Sequence, residues 1–401
     1  MNQDLITSIK GVRIAAIAAE IRKPNRLDLT LFELAKESVC AICTTKNTFP
    51  AAPILIARQH LSQQMPSYWL INTGYANAGT GNLGEQDAMQ ICDALAEKTF
   101  VKRNAILPFS TGIIGERLPV TKISNALDEL IQDLQPDHWN KAAQAILTTD
   151  THAKLFSESC TLGETTISLL GISKGAGMIK PNMATMLSFI ATDLAIDQFL
   201  LTNVLRRVVD QTFNRITIDG DTSTNDAVAL VATKQSNMDP IISAEDDRLP
   251  LFEYSLNALC LKLALAIVKD GEGVTKCVFI EVKGGRDKNE CQQVAEAIAH
   301  SPLVKTAWYA SDPNWGRMLA AIGRSGIDDL DPSGVELDLD DVAVVRAGAV
   351  ANHYEEKHAA DVLQKNEFTV SVRLGRGNAI YSLWTTDLSH AYVSINADYR
   401  S

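Results

Sequence analysis

The sequence has no excess of basic side chains: 37 Lys and Arg stand against 48 Asp and Glu, a formal net charge of −11. A surface of that sign repels phosphate backbones and anionic lipid, which argues against nucleic acid and acidic membranes as main partners. Long uninterrupted apolar runs are missing too. The most apolar helical stretch, residues 251–268, is broken by Glu253 and Lys262, so no membrane span is predicted. The opening MNQDLITSIKGVR places an acid early and has no apolar core, so no signal peptide is predicted. Cysteine is sparse and odd in number. Cys40, Cys43, Cys92, Cys160, Cys260, Cys277 and Cys291 are scattered through apolar segments, as expected of reduced, buried thiols in a cytoplasmic protein. Cys40 and Cys43 form a lone CxxC with no second pair and no nearby His, so neither a zinc site nor a redox pair is predicted. No GxGxxG phosphate loop occurs; the glycine-spaced stretch 74–81 has the wrong spacing. No EF-hand occurs either. Asp219, Asp221, Asn225 and Asp226 are suggestive, but Thr224 stands where Gly is required and Leu230 where Glu is required, so 216–231 is read as a turn and strand that hold no metal.

What remains is an ordinary globular composition, 46% hydrophobic and 21% charged over 401 residues, a length that suggests two or three units. Short β-compatible runs at 11–21, 38–45, 51–58 and 68–73 read as strands. Apolar residues at i, i+3, i+4, i+7 spacing make 85–99 and 122–135 amphipathic helices, the second ended by Pro136. Residues 161–172 read as strand, turn, strand; 185–191 as a strand; 197–215 and 251–269 as helices. An α/β continuation follows, with a strand at 276–284, a helix at 289–300 and a strand at 306–309.

The stretch 174–193, KGAGMIKPNMATMLSFIATD, is where chemistry is expected. Gly175, Gly177, Pro181 and Asn182 make a constrained loop, and Thr185 heads an apolar, β-prone run. If the Ala184–Thr185 bond were cut, Thr185 would carry a free amine beside its own hydroxyl. An α-amine of pKa roughly 7.7–8.0 is partly neutral at cellular pH and can act as base for that hydroxyl, so nucleophile and base lie in one residue.

This stretch, with its NMATML core at 182–187, closely resembles the self-cleavage segment of the ornithine acetyltransferase (glutamate N-acetyltransferase) family of arginine biosynthesis. The resemblance extends to the loop 74–81, to Ser110-Thr111-Gly112, to 220–226 (GDTSTND), to 270–273 (DGEG), to 312–317 (DPNWGR) and to the tail VSINADYRS at 393–401. Tyr75, Gly79 and Ser401 depart from the family's usual residues.

The resemblance implies a layered α/β sandwich, similar in architecture to N-terminal-nucleophile enzymes. It implies autocleavage into residues 1–184 and residues 185–401, with Thr185 as nucleophile both for cleavage and for acetyl transfer. Thr111 and Gly112 correspond to the family's oxyanion hole. Thr148, or Thr149 beside it, corresponds to a substrate-contacting threonine, and Lys174, Glu272, Asn396 and Ser401 fall on further substrate positions. The reaction implied is ping-pong transfer of acetyl from N2-acetylornithine to glutamate without a cofactor, by a heterotetramer of two α and two β chains. Whether acetyl-CoA is a second donor is left open. Two other readings stand beside it: an autoprocessed, aminopeptidase-like hydrolase, and a catalytically silent homologue that binds an amino acid.

Overall fold

Strands buried on both faces dominate the first part of the chain. In the computed structural model, which describes residues 6–180 and 186–398, the chain divides into two units: residues 1–214 with 222–267, and residues 215–221 with 268–401. In the first unit, β1 (Val12–Ile17), β2 (Leu29–Leu34), β3 (Val39–Thr44), α1 (Ala52–Gln63), β4 (Tyr68–Tyr75), α2 (Gly81–Thr99), β5 (Ile106–Ile113), α3 (Val120–Gln132) and α4 (Trp139–Ala145) come first. The hairpin β6 (Lys154–Leu162) and β7 (Thr165–Lys174) follows, then β8 (Leu187–Thr192), α5 (Gln198–Gln211), β9 (Ala227–Ala232) and α6 (Arg248–Lys269). The strands form two sheets, ordered β1-β2-β4-β5 and β3-β9-β8-β7-β6.

The inner faces of these sheets share one core. Phe32, Trp69, Phe109 and Phe189 meet there, with Phe109 and Phe189 edge to face at 5.2 Å and Trp69 and Phe189 at 5.8 Å. Each such buried ring contributes about 1.5–3 kcal/mol relative to exposure. On the outer face of the first sheet, Ile91 and Leu95 of α2 and Ile123, Leu127 and Leu130 of α3 pack on Ala15, Leu31 and Leu70. On the second sheet, Leu170 and Ile172 point into the shared core. Gly171 between them faces the other way, where an added Cβ would meet Leu263 of α6 at 3.0 Å and Leu259 at 3.6 Å. The period of two thus places α6 outside, and the unit is the layered α/β sandwich the sequence implied.

Two expectations are corrected. Residues 51–58, predicted as a strand, begin α1: Pro53 sits in its first turn and Ile54, Ala57 and Leu61 form its inner stripe, a spacing visible only when the window runs past Arg58. Residues 306–309, also predicted as a strand, end α8 (see below). α6 is, among the described residues, long and apolar enough by length and composition alone to cross a membrane. In the fold it serves as a covering helix, with Leu256, Leu259, Cys260, Leu263 and Ile267 fully buried and Lys262 paired with Glu158 at 2.5 Å.

The second unit contains β10 (Cys277–Gly285), α7 (Lys288–Ala299), α8 (Pro302–Tyr309), α9 (Trp315–Gly323), β11 (Glu336–Leu339), β12 (Val342–Arg346), β13 (Ala349–Val350), α10 (Glu356–Leu363), β14 (Glu367–Arg373), β15 (Ala379–Thr386) and α11 (His390–Ala397). Its sheet runs β13-β12-β11-β14-β10-β15, and α7 buries Val294, Ala295 and Ile298 in the same core as Val278, Ile280 and Leu383. α8 is helical because Ser301 caps it, accepting from the Val304 N–H, Pro302 opens it, and Val304, Ala307 and Trp308 bury one face.

Candidate active site

β4 and β5 are parallel and in register, with Thr73 opposite Thr111 and Gly74 opposite Gly112. At their C-terminal ends the backbones come very close. Gly112 has φ +134°, and a Cβ there would lie 2.2 Å from the carbonyl carbon of Gly74 and 2.6 Å from the Tyr75 nitrogen. Both the left-handed backbone and the lack of space require glycine. Thr111 is 8% exposed, and Ser110 before it donates to Asn72 Oδ1 at 2.5 Å.

A second tie comes from the turn ahead of β9. Asn225, buried, donates through Nδ2 to the carbonyls of Ser110 at 2.9 Å and Ala76 at 2.6 Å, and Thr224 donates to Asn225 Oδ1 at 2.6 Å. Thr222 donates to the Lys180 carbonyl at 3.1 Å, and the Ala227 N–H to the Met186 carbonyl at 2.9 Å. One turn therefore holds the Ser110-Thr111-Gly112 segment and both described ends of the 181–185 stretch. These ties come from the segment 216–231, read from the sequence as a turn and strand.

Thr148 and Lys174 meet around Asp150, which the sequence did not single out. The Asp150 carboxylate accepts from the Thr148 N–H at 3.0 Å, the Gly175 N–H at 2.6 Å and Lys154 Nζ at 2.7 Å. Its side chain is fully buried and that of Lys154 nearly so. Burial alone would push the Asp150 carboxyl up. The charges of Lys174 and Lys154, with the bonds from Lys154 and Gly175, outweigh it and hold the pKa down at about 2. The i, i+4 spacing of Asp150 and Lys154 was the available signal, but it does not by itself distinguish a buried pair from a surface one.

In the second unit, two predicted positions are joined directly. Asn396, on α11, donates through Nδ2 to Glu272 Oε2 at 2.7 Å, and Glu272 is buried. α11 is seated on the 270–273 turn: Ser389, its N-cap, donates to the Gly273 carbonyl at 2.6 Å, and a Cβ on Gly273 would lie 2.6 Å from both the Ser389 hydroxyl oxygen and the Tyr392 nitrogen. Tyr392 donates to Asp219 Oδ2 at 3.3 Å; burial first, then the Asp219 charge, raises its phenol pKa. Ala184, Thr185 and Ser401 lie outside the described residues.

The CxxC on β3 has no reactive thiolate. Burial pushes the Cys40 thiol up to about 12 and the Cys43 thiol to about 11. All seven cysteines are free and buried.

Comparison with known proteins agrees over the whole length. Residues 13–401 match the ArgJ family. The arginine biosynthesis bifunctional protein ArgJ of Psychrobacter arcticus is 47% identical over 399 residues, covering 99% of this chain and 98% of that protein. The protein of the same name from Pseudomonas syringae pv. tomato is 47% identical over 393 residues, covering 98% and 97%. The crystal structure of the arginine biosynthesis bifunctional protein ArgJ from Bacillus halodurans superposes with a TM-score of 0.51 at 37% identity, covering 53% of this chain and 99% of that one. The chain belongs to the ArgJ family, the glutamate N-acetyltransferases of arginine biosynthesis, and is an acyltransferase.

Proposed function

We propose that the protein cleaves itself between Ala184 and Thr185 and then carries acetyl from N2-acetylornithine to glutamate on the Thr185 hydroxyl. In the first event the hydroxyl oxygen attacks the Ala184 carbonyl carbon, the acyl group moves from nitrogen to oxygen, and water hydrolyses the ester. This frees the Thr185 amine and an Ala184 carboxylate. The amine then takes the hydroxyl proton as Thr185 attacks the acetyl carbonyl of the donor, ornithine leaves with a proton, and the amine of glutamate attacks the acetyl-threonine ester. Thr111 and Gly112 donate to the oxyanion that forms in each step, an interaction worth about 3–4 kcal/mol per donor in a favourable site. Thr148, Lys174, Glu272, Asn396 and Ser401 bind the amino-acid portion that donor and acceptor share. The ester stores the group between half-reactions, so no cofactor takes part. Acetyl-CoA as a second donor fits the word bifunctional in the relatives' names.

The observation that carries this reading is the turn 222–226, which grips the Ser110 carbonyl with Asn225 and the Lys180 carbonyl with Thr222. A shared support of this kind is what a proposed oxyanion segment and a proposed cleavage loop would need to act together. Cleavage has separate support. The Bacillus halodurans chain is matched over 99% of its length yet covers 53% of this one. Residues 185–401 would be 217 of the 401. The cleaved chains are proposed to assemble as two α and two β in the cytoplasm.

Denaturing mass analysis should give two fragments, and Thr185→Ala a single 43.6 kDa chain. With N2-acetylornithine alone, an acetyl increment should sit on Thr185, and the two substrates together should give parallel-line kinetics. Acetate released at the same rate with and without glutamate would make the protein a hydrolase; a wild-type chain that stays whole while active would end the autocleavage proposal.

A further inference from the structure

Asp150 lies between two lysines at the mouth of the β6–β7 hairpin. Lys154 opens β6 and pairs with Ser173, and Lys174 closes β7. The carboxylate bonds Lys154 Nζ at 2.7 Å and the Gly175 N–H at 2.6 Å, and the Lys174 charge acts on it across the same space. Its second oxygen holds the Thr148 N–H at 3.0 Å. The carboxylate thus ties the backbone at Thr148 to that at Gly175, the residue that follows Lys174.

We propose that Asp150 is a positioning residue that holds Lys174, Gly175 and Thr148 in the arrangement that receives the α-carboxylate of the amino-acid substrates. The inference rests on the reading that Lys174 and Thr148 bind substrate, and it adds the group that sets their geometry. Asp150 touches neither the reacting atoms nor the ligand. Because donor and acceptor share the amino-acid end, its loss acts on both alike.

The test is Asp150→Asn combined with Lys154→Gln. The single Asp150→Asn change would leave the Lys154 ammonium buried without a counter-charge and risks unfolding; the double variant removes both charges together and keeps hydrogen-bonding groups. The expected result is a correctly cleaved protein whose KM rises about tenfold or more for both N2-acetylornithine and glutamate, with kcat within about twofold of wild type. An unchanged KM, or a loss confined to kcat, would overturn the proposal. Labelling of Lys174 by a small amine-reactive reagent, followed by mass spectrometry, reads the same geometry without turnover. Loss of the Asp150 anchor at the Gly175 N–H should loosen the backbone that carries Lys174 and speed its labelling several-fold, and an unchanged rate overturns the proposal. If the wild-type protein transferred no acetyl to glutamate, the functional reading would fail while the labelling result still decided the role of Asp150.

Discussion

Gly112 is glycine for two independent reasons, a φ of +134° and a backbone 2.2 Å from where a Cβ would sit. Gly112→Ala must therefore separate β4 from β5 at the point where Thr111 is held. Its effect on turnover should exceed that of Thr111→Val, which removes only a hydroxyl. Thr111→Val is expected to lower kcat by about 10²–10³ with KM within a few-fold, since an oxyanion donor acts on the transition state. Steady-state kinetics of the two variants check this, and a Thr111→Val enzyme that loses affinity with kcat intact would remove Thr111 from that role. Asp150 makes a second prediction at this scale. Its folded pKa of about 2 lies below the ordinary carboxylate value of 3.8, so the ionised group stabilises the fold above pH 3.8 and that stability is lost as pH falls through 2. The shift corresponds to about 2 kcal/mol. Denaturant midpoints between pH 5 and pH 2.5 should fall less steeply in the Asp150→Asn, Lys154→Gln variant than in wild type, and parallel curves would contradict it.

Among the elements, α8 carries a strong pH dependence. Lys305 is fully enclosed and bonds the Thr386 carbonyl, the Thr386 hydroxyl at 3.2 Å and the Thr385 hydroxyl at 3.3 Å. Burial lowers its pKa from 10.5 to about 7 against the opposing pull of Asp387 and Asp219. Between those values the unfolded chain holds the proton and the folded one does not, so stability rises with pH across that window, by up to about 1.4 kcal/mol per unit. Lys305→Met should remove this rise. Chemical unfolding of both proteins from pH 7 to pH 10 measures it, and equal slopes would show that Lys305 stays protonated in the fold. α8 also shows why short segments mislead: Thr306 and Trp308 are good strand residues, and only Ser301, Pro302 and the stripe of Val304, Ala307 and Trp308 make the stretch a helix.

For the whole molecule, the expected cleavage point and the boundary of the units do not coincide. Residues 1–184 supply β1 to β7, whereas β8, β9, α5 and most of α6 come from residues 185–401, and all build the first unit. β8 is buried at every position and lies between β7 and β9, pairing with β7 from Leu187 opposite Lys174 to Thr192 opposite Leu169. Self-cleavage should therefore leave the fragments locked together. They are expected to co-elute in native size-exclusion chromatography and to separate only in denaturant; free fragments in native buffer would contradict the shared sandwich.

By itself the sequence determined the α/β class, the helices with clear 3.6 periodicity such as α2 and α3, and, through NMATML, STG and the DGEG and INADYRS segments, the family and its candidate residues. These are local properties, carried by spacing and by residue type. Only the tertiary structure decided which candidates meet. It placed Asn396 on Glu272 across more than a hundred residues, tied Asn225 to Ser110, and buried Asp150 between Lys154 and Lys174. It also turned residues 51–58 into a helix. Each of these depends on long-range packing: a polar group's partner and a segment's buried face are set by what folds against it, which neighbouring residues along the chain do not encode.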